Sequence, residues 1–92
     1  MTNMKAVDDM IINLMDTGTP VLFVSLDDDE CHCVVNHVVI PDGKNKTIVF
    51  DYDNTGFLYH VKSCDVPFEE IIADFSKRVM YEPGAYLQLY GM

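Results

Sequence analysis

Three cysteines and three histidines are the residues of this chain best suited to hold a metal or to attack a substrate, and Cys31, His32, Cys33 and His37 lie close together. Structural zinc sites usually separate their cysteines by about two to four residues, so that a knuckle wraps the ion. Here a single residue separates Cys31 from Cys33. In a strand the two would point the same way about 6.6 Å apart, with His32 on the opposite face. That spacing argues against a zinc knuckle, and no metal is expected. Cys33 or Cys64 beside a histidine would make a nucleophile, but no motif joins them, and a thiol in a strand is usually structural. The odd cysteine count excludes a closed disulfide set, and Cys31 and Cys33 are too close along an extended strand to bridge comfortably. Three reduced thiols are expected.

A second constellation is the run Thr47-Ile48-Val49-Phe50-Asp51-Tyr52-Asp53-Asn54-Thr55-Gly56. As a calcium loop it puts Asp51, Asp53, Thr55 and Gly56 at the first, third, fifth and sixth positions. The twelfth should be a bidentate glutamate, and Lys62 stands there instead. An apolar strand entering Asp-x-Asp-x-Thr also resembles the first motif of haloacid-dehalogenase-type phosphatases. That resemblance would make Asp51 the nucleophile and Asp53 the general acid of a small phosphatase-like enzyme. The family also needs a doubly wound parallel sheet, a later lysine and a later acidic pair for magnesium, and the 36 residues after Gly56 do not supply that pattern. A hairpin turn built from Asp, Asn and Gly explains the same residues. Phosphate-cradling and dinucleotide-binding glycine patterns do not occur. No catalysis and no cofactor are expected.

The elements that would position these residues follow from periodicity. Val7, Met10, Ile11 and Leu14 recur at helical spacing and predict a helix from Met4 to Asp16, stopped by Gly18 as a left-handed cap and by Pro20. Val21 to Leu26 reads as a buried strand. Asp27 to Glu30 form an exposed turn, and Cys31 to Ile40 a second strand. Pro41-Asp42-Gly43 turns the chain into a third, Thr47 to Tyr52, and Asp53 to Gly56 into a fourth, Phe57 to Val61. Connections this short join antiparallel neighbours. Phe68, Ile71, Ile72, Phe75 and Val79 form the stripe of a second helix, Val66 to Met80, with Asp65 as its N-cap. Ala85 to Tyr90 closes the chain as a fifth strand. The expectation is a single α+β domain over residues 1–92, ordered α-β-β-β-β-α-β, with two helices on one face of a mainly antiparallel sheet.

Charge is the dominant feature of the composition. Fifteen Asp and Glu oppose six Lys and Arg, for a net charge of −9. Such a balance repels nucleic acid and anionic membranes and suits a partner with a basic surface. No apolar run approaches the roughly 20 residues of a membrane span. Residues 1–5 lack the charged start and apolar stretch of a secretory signal, so a cytoplasmic protein is expected. The acidic residues are spread over the first helix (Asp8, Asp9, Asp16), the turns (Asp27, Asp28, Asp29, Glu30, Asp42), the third strand and its exit (Asp51, Asp53) and the second helix (Glu69, Glu70, Asp74). Asp51 and Asp53 would alternate on one side of a strand about 6.6 Å apart, close to two steps along one DNA strand. A compact domain of this length is roughly 32 Å across, a span over which duplex DNA exposes about nine phosphates to one side.

In length, acidity and helix–sheet order the chain resembles the anti-restriction nuclease (Arn) proteins of T-even-type phages. The resemblance implies a dimeric DNA mimic that opposes a host modified-cytosine-specific, Mcr-type restriction nuclease and is associated with the host's histone-like nucleoid-structuring protein. It would place the chain in a bacterial host's cytoplasm, with those thirteen carboxylates standing in for phosphates. A generic acidic protein–protein adaptor is the other reading of the same charge. A two-fold homodimer is expected, for which Tyr86, Leu87, Leu89 and Tyr90 offer apolar surface near the chain end.

Overall fold

The computed structural model describes residues 5–28 and 33–91. Its elements are α1 (Lys5–Asp16), β1 (Val21–Asp28), β2 (Cys33–Pro41), β3 (Thr47–Tyr52), β4 (Leu58–Cys64), α2 (Phe68–Tyr81) and β5 (Tyr86–Tyr90). The strands form one sheet in the order β4-β3-β2-β1-β5, and every pairing is antiparallel. The chain is an α+β fold with the element order read from its sequence. It does not build the doubly wound parallel sheet of the phosphatases that Asp51-x-Asp53 resembles.

The two helices pack on opposite faces of the sheet rather than on one. Side chains alternate along β1. Val21 and Phe23 join Val7, Ile11, Val38 and Tyr52 under α1. Leu22, Val24 and Leu26 join Val39, Val49 and Phe68 against the α2 stripe of Ile71, Ile72, Phe75 and Val79. A strand apolar at four successive positions, Val21 to Val24, cannot leave one face wet, so both faces must be covered there. Each fully buried aliphatic side chain contributes about 1.5–3 kcal/mol of transfer free energy, which is why the sheet holds helices on both sides. Under α1 the Tyr52 hydroxyl donates to Met10 Sδ at 2.8 Å, and burial pushes its pKa up.

Other departures are local. β1 extends through Asp27 and Asp28, residues that read as turn. β4 is displaced toward Cys64. Asp65 does not cap α2: Pro67 holds the N-cap position, with no side-chain cap. Its carbonyl instead accepts from the backbone N–H groups of Glu70 and Ile71, while Asp65 lies exposed, 3.8 Å from Lys46 Nζ. Gly18 does end α1 in the left-handed region, at φ 79°, its N–H donating to the Met15 carbonyl. Cys64 is free, but Cys33 is disulfide-bonded. The expectation of reduced thiols thus fails at Cys33. That residue opens β2 rather than lying inside it, so the extended geometry assumed for it is not enforced by pairing on both sides.

Candidate functional site

Topology decides where the carboxylates stand. Asp8, Asp9 and Asp16 are exposed on α1, and Glu69, Glu70 and Asp74 on α2, so the two groups occupy opposite faces of the sheet. The start of β1, the end of β2, the start of β3 and the end of β4 share one end of the sheet. There Asp42, in the β2–β3 turn, and Asp65 are exposed. Asp27 is exposed at the other end, in a cleft with Tyr81, Glu82 and Pro83. Asp29 and Glu30 lie outside the described residues, and of Asp28 only its place in β1 is described. The acidic surface therefore covers both helical faces and both strand ends. The edge strands are different: residues 57–64 and 83–91 contain no Asp or Glu.

Several cations sit among these acids. Lys5 Nζ is 3.0 Å from Asp9 Oδ2, and Arg78 is 3.6 Å from Glu82. These contacts are exposed, and such pairs contribute little beyond local charge cancellation. The body measures 34 × 27 × 21 Å. Its long axis equals about one turn of duplex DNA, roughly 34–36 Å.

One of the acidic candidates is buried away from that surface, and a second stays partly exposed but is engaged by its own turn. Asp51 is only 7% exposed. It lies in a row that crosses the whole sheet, Leu87–Val24–His37–Asp51–His60. His37 Nδ1 is 2.6 Å from one carboxylate oxygen and His60 Nδ1 3.1 Å from the other. The His37 side chain is 15% exposed, and that of His60 54%. The His37 ring packs at 5.3 Å on Phe75 of α2. With Asp51 ionised, both histidines donate from Nδ1, which makes Nε2 the acceptor in a neutral ring. The carboxylate is thus enclosed and satisfied, and it faces two imidazoles rather than solvent.

Asp53 is the second. It follows β3 and acts as the acceptor of the tight turn into β4. Its Oδ1 receives the Thr55 hydroxyl at 2.6 Å and the N–H groups of Thr55 and Phe57 at 2.9 and 3.0 Å. The Thr55 hydroxyl, followed by the Phe57 N–H, holds its pKa below the ordinary aspartate value. Its backbone carbonyl accepts from the buried Asn36 side chain at 3.1 Å. Asp51 and Asp53 therefore do not form a pair on one strand face.

A histidine oriented by a carboxylate is also the arrangement of a general base. Two clefts lined by described residues lie away from this row, one at Pro20, Pro41, Gly43, Lys44, Phe68 and Glu69 and one at Asp27, Tyr81, Glu82 and Pro83. Among the described residues no three His, Cys, Asp or Glu side chains are grouped so as to hold a metal ion, and no helix is long and apolar enough to cross a membrane. No family model matches the chain, and neither the curated proteins nor the solved structures contain a match.

Proposed function

We propose that this chain is an acidic DNA mimic, which occupies the DNA-binding surface of a basic protein in place of duplex. The observation that carries this reading is the set of exposed carboxylates on both helices and at both ends of a body 34 Å long. Helices and paired strands hold them at fixed separations, so little conformational entropy is lost when a partner engages them. A basic groove that curves around the body meets acids on more than one side, whereas a flat partner meets one helical group and one strand end. The resemblance to the phage anti-restriction proteins names the partners to try first, a modified-cytosine-specific restriction nuclease and a histone-like nucleoid-structuring protein of a bacterial host. On this reading the protein works in the host cytoplasm, as a homodimer and without catalysis or cofactor.

The test begins with a preformed complex of labelled duplex and either candidate. Added protein should release the duplex completely, with a midpoint that rises in proportion as free duplex is added, as simple competition for one site requires. Binding that saturates while the duplex stays in place identifies an acidic adaptor and rejects mimicry.

A further inference from the structure

The two edge strands of the sheet are not equivalent. β5 is flanked by helices on both sides: Leu87 and Leu89 pack in the α2 cluster and Tyr90 in the α1 cluster. β4 belongs to neither cluster except through Cys64 at its end. It is exposed along its length up to Ser63. Its apolar groups Leu58 and Val61 are open to solvent, at 40% and 49% exposed. An edge strand presents a row of backbone donors and acceptors, and an apolar one left bare invites pairing with another chain. Among its side chains Lys62 carries the one formal charge.

We propose that β4 is the contact through which two copies of this chain pair, antiparallel and edge to edge, joining two five-stranded sheets across a two-fold axis. Electrostatics selects the occupant. A basic partner is drawn to the helical faces and strand ends, where the carboxylates are. Two copies, each at −9, repel one another everywhere except where carboxylates are absent. β5 also lacks them, but its flanks are the acid-bearing helices, and the Tyr90 pKa, raised first by burial and then by Tyr86, is raised further by nearby Asp8. β4 combines absent carboxylates with absent helices. A copy of β4 is self-complementary in the antiparallel sense, because a two-fold axis sets each donor against the equivalent acceptor.

The regular part of the strand suggests the register. His60, Val61, Lys62, Ser63 and Cys64 pair in step with β3, and the irregularity falls beyond His60, at Asp51/Tyr52. A pairing centred on Val61 sets valine against valine and keeps the two Lys62 apart, each opposite a His60. A pairing centred on Lys62 would place two ammonium groups face to face, which is unfavourable.

This inference does not depend on the DNA-mimic reading, and a monomer would still be free to displace duplex. The experiment is sedimentation velocity on the whole chain from nanomolar to high micromolar concentration, for wild type, Val61→Glu and Tyr86→Glu. Val61 and Tyr86 are equally exposed, at 49% each, and lie on opposite edges. Wild type and Tyr86→Glu should dimerise alike. Val61→Glu should raise the dimer dissociation constant by more than about tenfold, from a like-charge cross-strand pair and lost apolar contact. Amide exchange provides a readout without mutation: β4 amides in wild type should exchange more slowly as concentration rises, and β5 amides should not. A wild-type monomer throughout the range overturns the proposal. So does dissociation by Tyr86→Glu with Val61→Glu still dimeric, or concentration-dependent protection at β5 alone.

Discussion

Replacing Asp51 should unfold the protein more readily than replacing any exposed carboxylate. In Asp51→Ala the Nδ1–H groups of His37 and His60 lose their acceptor. Hydrogen bonds to a charged group contribute about 1.5–3 kcal/mol each when enclosed, and the 2.6 Å bond from His37, beneath Phe75, falls in that class. His60 is half in water, so its 3.1 Å bond resembles an exposed pair worth about 0–1 kcal/mol. The sum is a loss of roughly 1.5–4 kcal/mol. In a domain of this length each kcal/mol moves Tm by about 4–8 °C, so Asp51→Ala should melt at least about 6 °C below wild type. Asp51→Asn keeps the volume and one acceptor oxygen and should lose about half as much. Asp9→Ala, which removes only the exposed contact to Lys5, should stay within about 0.5 kcal/mol. Urea and thermal denaturation at neutral pH, followed by circular dichroism, measure all three. An Asp51→Ala protein within about 0.5 kcal/mol of wild type would refute the view that the His37–Asp51–His60 row is a structural clasp.

Asp53 should titrate below the ordinary aspartate value, because the Thr55 hydroxyl and the Phe57 N–H favour its carboxylate. A folded pKa below the unfolded one means that the turn is stabilised above the unfolded value and loses that support as pH falls through the folded one. A carboxyl-carbon NMR titration should show this, with Thr55→Val moving the midpoint up, and a wild-type midpoint at or above the ordinary value would contradict the assignment. The opposed acidic faces can be separated by charge reversal. Asp8→Lys with Asp9→Lys acts on the α1 side and Glu69→Lys with Glu70→Lys on the α2 side, and at least one pair should weaken partner binding by more than about tenfold, equivalent to 1.4 kcal/mol. Calorimetric titration of the folded variants reads this, and unchanged affinity for both would remove the helical carboxylates from the interface.

Much of this architecture was legible because its periodicities are strong. The α2 stripe and the short turns at Pro41-Asp42-Gly43 and Asp53 to Gly56 required a helix and antiparallel strands in this order. The unbroken apolar run Val21 to Val24 also contained the evidence that both faces of the sheet are covered, which a one-faced arrangement ignored. Counting charge treats every carboxylate as surface, and so groups Asp51 with the rest. Strand alternation carried the missing signal: Asp51 shares its face with Thr47 and Val49, both buried. That its partners are His37 and His60 depends on the registers of β2 with β3 and of β3 with β4, which no local pattern encodes. The bareness of β4 was hidden for the same reason, because strand order within the sheet decides which strand is left at an edge.

The central claim, that an acidic surface replaces duplex, is tested most directly by a salt series on one basic target, with this protein and duplex DNA competing for it. Many screened charge pairs predict binding that weakens steeply as salt rises. The slope of log K against log salt should nevertheless be shallower than that of duplex, since a chain with net charge −9 has no comparable condensed counterion layer to release. Duplex should leave in step with protein binding at every salt concentration. Affinity indifferent to salt, or saturating binding with the duplex still held, would contradict the account.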